Sequence, residues 1–414
     1  MKLSPKQLFF VVGVLSVLKF LYCLLFINDF NLFEDHSIAV NIANTGEFFI
    51  FWDGVNNYTF QFPIFPYTVS ILYKIFGIKP LAVIVLNLIL NFFTAILLYK
   101  VFSFFFRYFK LPETMPDKCS AVINLSILLF AFHPVINYYA LYNVHPFSMD
   151  LFFLFATLYT CCDYYCLRTT KKLLIAGLIT GLAIMDRATL GLAALPLFFL
   201  LWKEEGLVLS VKKVSIIFIT GVFVCLPWLI RNYNTDGIIG FESTAGRNLW
   251  KGVLSNSEGS CYLLNGKDYY SIEEQYLNTI NKLSPKEQNQ FFVDRFMEIW
   301  TKHPKHAAKM YLLKLRNFWL FRPQIGNEYS ASIQRYIPVY LTGYFVALAL
   351  SLLALFMIGK RSLYLFSLPL GLSFFQSFFY VETRHRLIIE PILIFLSLTV
   401  IYLLKSKMFR LHSE

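Results

Sequence analysis

Ten apolar runs separated by short basic caps leave this chain few ways to fold. The runs are 8–27, 80–102, 121–140, 146–166, 172–188, 190–202, 213–230, 338–358, 362–379 and 387–404. Crossing the hydrocarbon core of a bilayer takes about 20 apolar residues. Inside that core each segment must satisfy its own backbone N–H and C=O groups, which makes helices of such runs. A soluble domain could not bury a chain that is 57% hydrophobic and 15% charged. The expectation is an all-α polytopic membrane protein with about ten transmembrane helices. The runs 172–188 and 190–202 are short and meet at Asp186-Arg187.

The net charge of +12 does not point to nucleic acid, because its cations are distributed among the caps between runs. With Lys2 and Lys6 inside, the inner loops carry Arg107, Lys110 and Lys118; Arg168, Lys171 and Lys172; Lys203, Lys212 and Lys213; Lys360 and Arg361; and Lys405, Lys407 and Arg410. Every inner loop is then basic, as membrane insertion favours. Lys2 and Lys6 precede an apolar run with no small-residue cleavage site after it, so the run reads as a retained span. The short tail and compact loops point to a bacterial inner membrane. Three units follow: an N-terminal transmembrane module, 1–230, with a first outer loop at 28–79; an extracytoplasmic segment, 231–337; and C-terminal transmembrane helices with a short cytoplasmic tail, 338–414. The turns at 141–145 and 380–386 lie on the same outer side.

The first outer loop carries local structure. Ile38, Ala39, Ile42 and Ala43 recur at helical spacing and Gly46 follows as a stop. Val69 to Phe76 is apolar, ends at Gly77, is too short to span and is expected to lie in the interface. In the later segment, Ser284-Pro285-Lys286-Glu287 marks a helix start, and a small, mainly helical outer segment is expected there. Most of the seven cysteines fall in or beside apolar runs, and Cys261 stands alone well inside the polar segment, so no disulfide framework forms there. No paired cysteines with a histidine cluster suggest zinc.

Glu34-Asp35 sits just past the first run. An acid there is a solvated surface group or a general base, and partial desolvation at the interface makes a carboxylate a better base. Asp35, Ala43 and Gly46, then Pro63, Pro66 and Tyr67, resemble the first outer loop of the GT-C glycosyltransferases. The similarity is to the branch of protein O-mannosyltransferases and lipid A aminoarabinose transferases. Gly177 to Arg187 is similar to that branch's glycine-rich span ending in Arg. Pro227-Trp228-Leu229-Ile230-Arg231-Asn232-Tyr233 resembles its Pro-Trp-x-x-Arg-Asn-Tyr stretch. Arg384-His385-Arg386 with Glu390-Pro391 resembles its late Arg-Tyr-Arg motif. The chain departs in its Glu34-Asp35 order, in His385 where the branch has Tyr, and in having no large C-terminal soluble domain. Register with Ala43 and Gly46 selects Asp35 as base, with Glu34 as competitor.

The resemblance implies a GT-C fold and an inverting transfer of sugar from a polyprenyl-phosphate donor to a lipid, glycan or protein acceptor, on the extracytoplasmic face. It implies Asp35 as base and Arg187, Arg231, Arg384 and Arg386 as cations on the lipid phosphate, since Arg suits bidentate phosphate contact. The competing account pairs those arginines with acids such as Asp186, Asp236 and Glu382. Asp150, an acid inside a span, and the motif residues Tyr67 and His385 are substrate-positioning candidates. His133 and His145 read as structural or interfacial, and Asn87, Asn91, Asn124 and Glu390 as interhelical bonding groups. No cofactor is expected; Glu34, Asp35 and Asp150 could in principle gather around a divalent cation, but no metal-ligand spacing is visible. Two other classes fit a polytopic chain: a polyprenyl-linked glycan flippase, for which an inverted repeat is missing, and a glycan polymerase or ligase, which needs an outer loop rich in Arg and His.

Overall fold

The computed structural model describes residues 3–111, 116–260, 273, 276–320 and 337–411. Cys261 lies outside them. In chain order the elements are α1 (Pro5–Phe26), β1 (Asn31–Leu32), α2 (Glu34–Thr45), β2 (Ile50–Trp52), β3 (Val55–Asn57), α3 (Ile64–Phe76), α4 (Pro80–Tyr108), α5 (Pro116–Ala131), α6 (Pro134–Tyr142), β4 (Asn143–Val144), α7 (Phe147–Leu167) and α8 (Thr170–Asp186). A 3-10 turn (Ala188–Ala194) leads to α9 (Leu195–Glu205), α10 (Leu207–Asp236) and α11 (Ala245–Lys251). Then come α12 (Leu277–Ile280), α13 (Pro285–Lys302), α14 (Pro304–Leu320), α15 (Ile337–Met357), α16 (Lys360–Gln376), α17 (Thr383–Leu387) and α18 (Glu390–Leu411).

Four described helices are long and apolar enough to cross a membrane: α1, α4, α10 and α15, of 22, 29, 30 and 21 residues. At about 1.5 Å per residue each exceeds the roughly 30 Å hydrocarbon core. Their mean hydropathy is 2.1 to 2.6, and much of their surface faces outward, with Phe10, Leu25, Phe223 and Phe356 exposed. The chain is thus an integral, multi-pass, helical membrane protein. The run 121–140 forms two helices, α5 and α6, bent by 44°. Pro134 opens the second, and the His133 imidazole caps it by accepting from Ile136 N–H at 3.2 Å. The run 190–202 departs from expectation. It forms the 3-10 turn and part of the 11-residue α9, a helix only about 17 Å long, and does not cross the core as one helix.

One large apolar cluster joins α4, α5, α6, α7, α15, α16 and α18, with Phe102 stacked on Phe395 at 4.3 Å between ring centroids. Two polar groups close on partners beside it: Asn124 donates to Leu3 O, ahead of α1, at 2.8 Å, and Glu390 meets His133 at 2.8 Å. Helices α8 and α10 approach closely because glycines face each other. A Cβ on Gly177 would lie 2.5 Å from Thr220 Cβ, and one on Gly181 2.7 Å from the Gly221 carbonyl oxygen. Small residues spaced by four let helix backbones pack this tightly.

The expected helix after Asp35 is α2, and Gly46 ends it in the left-handed region at φ 83°. The apolar stretch that ends at Gly77 forms the last part of the 13-residue α3. Ser284 caps α13 through a capping box with Glu287. The short hairpin of β2 and β3 turns on Asp53 (φ 47°) and Gly54 (φ 78°), the paired positive φ values of an Asp-Gly turn.

Candidate active site

Two residues of parallel pairing bring the first loop to the start of α7. Asn31 pairs with Asn143 and Leu32 with Val144, and Asn31 Nδ2 donates to both Asn143 Oδ1 and Tyr138 Oη at 3.1 Å. Immediately after these strands come Glu34 and Asp35 on one side, and His145 and Asp150 on the other. Apolar packing fixes them: Ala39 of α2 joins Phe65, Val69 and Tyr73 of α3 and Met149 of α7 in a small core. Asp35 is consequently 6% exposed, at the first turn of a helix. Burial, with Glu34, Asp150 and Glu242 nearby and Arg187 opposing, pushes its carboxyl up to about 8.

Helix α8 ends at Asp186, and Arg187 turns into extended backbone at φ −159°. Its guanidinium stands 2.8 Å from Asp150 Oδ2 while remaining 23% exposed; the Asp150 side chain is fully buried. Arg187 thus pairs with an acid, as the competing account of the arginines has it, and that acid is Asp150. Asp186 is itself 5% exposed and lies close to Asp150. From the far end of the chain, α17 contributes Arg384, half-buried, which donates to Tyr380 Oη at 3.1 Å.

His145 and His385 line the same region. Each is buried, and each lies near Arg384 and Arg187, so burial and those cations hold both imidazoles well below the usual histidine range. Glu242, reached through the chain that returns from α10, is raised to about 7 by burial, against hydrogen bonds from Thr244 and Asn248 and the nearby Arg187 and Lys251. The sequence reading did not single out Glu242. Its signal was faint: one acid between Phe241 and Ser243 in a polar stretch.

The other two arginines are differently placed. Arg231 donates to the carbonyls of Tyr58 and Phe48, the latter at 3.2 Å, and its guanidinium lies 4.7 Å from the Trp228 ring centroid. Trp228 Nε1 in turn donates to Phe241 O at 2.9 Å, and Asn232 Nδ2 to Gly240 O at 2.9 Å. The Pro-Trp-x-x-Arg-Asn stretch thus clasps the first loop and the 238–244 return together. Asp236, one of the acids of the competing account, accepts from Thr59 Oγ1 at 2.8 Å. Arg386 is 1% exposed, bonded to Glu390 Oε1 at 3.2 Å and Phe318 O at 3.1 Å, with its guanidinium 4.1 Å from the Tyr344 ring centroid. Tyr67 is exposed beside Phe48 and Trp228, on the clasp.

Among the described residues, no group of three or more His, Cys, Asp or Glu side chains is arranged to hold a metal ion. Chemically, the cluster offers two carboxyls raised toward neutrality, Asp35 and Glu242, beside two partly exposed guanidinium groups.

No protein-family model matches the chain, and no curated protein matches it. Among solved structures it is similar to ArnT from Cupriavidus metallidurans bound to undecaprenyl phosphate, with a TM-score of 0.48 and 11% identity over 94% of this chain and 78% of that one. The apo state of the same protein gives a TM-score of 0.38 and 12% identity, covering 92% of this chain and 76% of that one.

Proposed function

We propose that the protein is an inverting glycosyltransferase that moves a sugar from a polyprenyl-phosphate donor to an acceptor hydroxyl on the extracytoplasmic face of the membrane. The observation that carries this reading is the placement of Asp35, 6% exposed, in the field of the partly exposed Arg187. A displacement at the anomeric carbon needs a base for the incoming hydroxyl and cations for the departing phosphate. Asp35 takes the acceptor's proton as the new C–O bond forms. The bond from the anomeric carbon to the phosphate oxygen breaks, and the charge left on phosphate falls to Arg187 and Arg384. Arg231 and Arg386, spent on carbonyls and on Glu390, hold the scaffold. Asp150 orients Arg187, and Glu34, half-buried beside Asp35, raises its basicity.

The positive-inside charge pattern supports an outer location for this cluster, since the basic caps fall at the opposite ends of the spans. The test is release of free polyprenyl phosphate, coupled to sugar appearing on acceptor, by purified protein given a pool of polyprenyl-phosphate sugars. Movement of the intact donor across a vesicle bilayer, without cleavage, would replace this reading with that of a flippase.

A further inference from the structure

His145 and His385 are built alike. Phe147 N–H donates to His145 Nδ1 at 3.1 Å, and Glu382 N–H donates to His385 Nδ1 at 3.1 Å. An imidazole whose Nδ1 accepts a backbone N–H carries its own proton on Nε2. Among the described residues, neither Nε2 meets a hydrogen-bond partner, although the side chains are only 7% and 6% exposed. His133 shows the contrast: its Nδ1 is capped in the same way by Ile136 N–H, but its Nε2 is spent on Glu390 at 2.8 Å.

Each Nε2 keeps some open surface, from which a bound group can accept. Both lie near Arg187 and Arg384, and His145 also packs edge-on against Phe33, the residue before Glu34 and Asp35, at 5.1 Å between centroids. Donors on two imidazoles and two guanidinium groups, drawn from three separated stretches of chain, fit an oxyanion with several acceptor oxygens. We infer that His145, together with His385, donates through Nε2–H to the phosphate of the lipid-linked donor. This inference rests on the transferase reading above. It gives His145, read from the sequence as structural or interfacial, a role in binding.

The test measures binding, not turnover. The probe is a polyprenyl methyl phosphate, a diester whose single charge is constant between pH 6 and pH 8; free polyprenol is the control. His145→Asn is the informative variant, because its side-chain oxygen keeps the cap on Phe147 N–H while nothing reaches the Nε2 position. The expected result is a wild-type melting temperature, unchanged affinity for polyprenol, and affinity for the diester reduced about tenfold or more. His385→Asn, which keeps the Glu382 cap, gives the same pattern, and His145→Gln, with an amide N–H near the Nε2 position, recovers part of the loss. Diester binding by both Asn variants within about twofold of wild type, while wild type prefers the diester to polyprenol, overturns the histidine assignment alone. A wild type that does not distinguish diester from polyprenol overturns the polyprenyl-phosphate reading and this inference with it.

Discussion

Arg187 stands 2.8 Å from Asp150, and the same guanidinium lies near Asp35, Glu242, His145 and His385. One cation from the end of α8 therefore organises side chains contributed by the first loop, α7, the 238–244 return and α17. Removing it leaves a fully buried Asp150 carboxylate unpaired. Breaking a buried ion pair from one side costs roughly 3–5 kcal/mol. Because Arg187 is 23% exposed, Arg187→Leu should fall toward the lower end of that range. Asp150→Asn should cost less, since the freed guanidinium can reach solvent. Unfolding of the two variants in detergent checks the order, and a less stable Asp150→Asn contradicts it.

The pH dependence follows from Asp35, raised to about 8. As a base it works deprotonated, so the transfer rate should rise with pH and level off above about 8. Stability runs the other way. The unfolded carboxyl loses its proton near pH 4, while the folded one keeps it to about pH 8. Between those values the native state binds more protons, and stability falls as pH rises. Asp35→Asn removes that slope and should melt higher than wild type at pH 8. A rate that is flat from pH 6 to pH 9 would remove Asp35 from the role of base.

Arg231 should behave as a structural residue. Lysine cannot span both the Tyr58 and Phe48 carbonyls or lie flat on Trp228 as the guanidinium does. Arg231→Lys should therefore speed proteolysis within 46–62 and lower the melting temperature, while donor affinity in the folded fraction stays near wild type. A selective loss of donor binding, with unchanged proteolysis, would return Arg231 to the phosphate.

The glycine contact between α8 and α10 sets where Asp186 and Arg187 emerge. A Cβ at Gly181 would sit 2.7 Å from Gly221 O, a backbone atom that cannot move aside by a rotamer change. Gly181→Ala should destabilise by about 1–3 kcal/mol, the usual cost of overpacking, and weaken donor binding through the displaced Arg187. Gly343, with open space around it, is the control: Gly343→Ala should be close to neutral.

Much of this was legible in the sequence, because local rules set it. The apolar runs, the α2 helix stopped by Gly46 and the Ser284 capping box each depend on residues within a few positions of one another. The site was legible as a list of residues but not as a geometry. Asp35 is brought near Asp150 by two residues of parallel pairing, Asn31-Leu32 with Asn143-Val144, too short to leave a periodic signal. The partners of the arginines are set by the same kind of tertiary geometry: Arg187 pairs with Asp150, and Asp236 accepts from Thr59. The run 190–202 was apolar enough to read as a span, yet it follows an extended Arg187 and folds partly as a 3-10 turn.

The most direct measurement is single-turnover sugar transfer by Asp35→Asn and Glu34→Gln beside wild type, with donor binding recorded on the same samples. The account predicts that Asp35→Asn binds donor as wild type does but loses turnover by at least about 100-fold, the lower range for a positioned base, while Glu34→Gln keeps measurable turnover with its pH profile shifted to lower pH. Full turnover by Asp35→Asn would contradict the central claim.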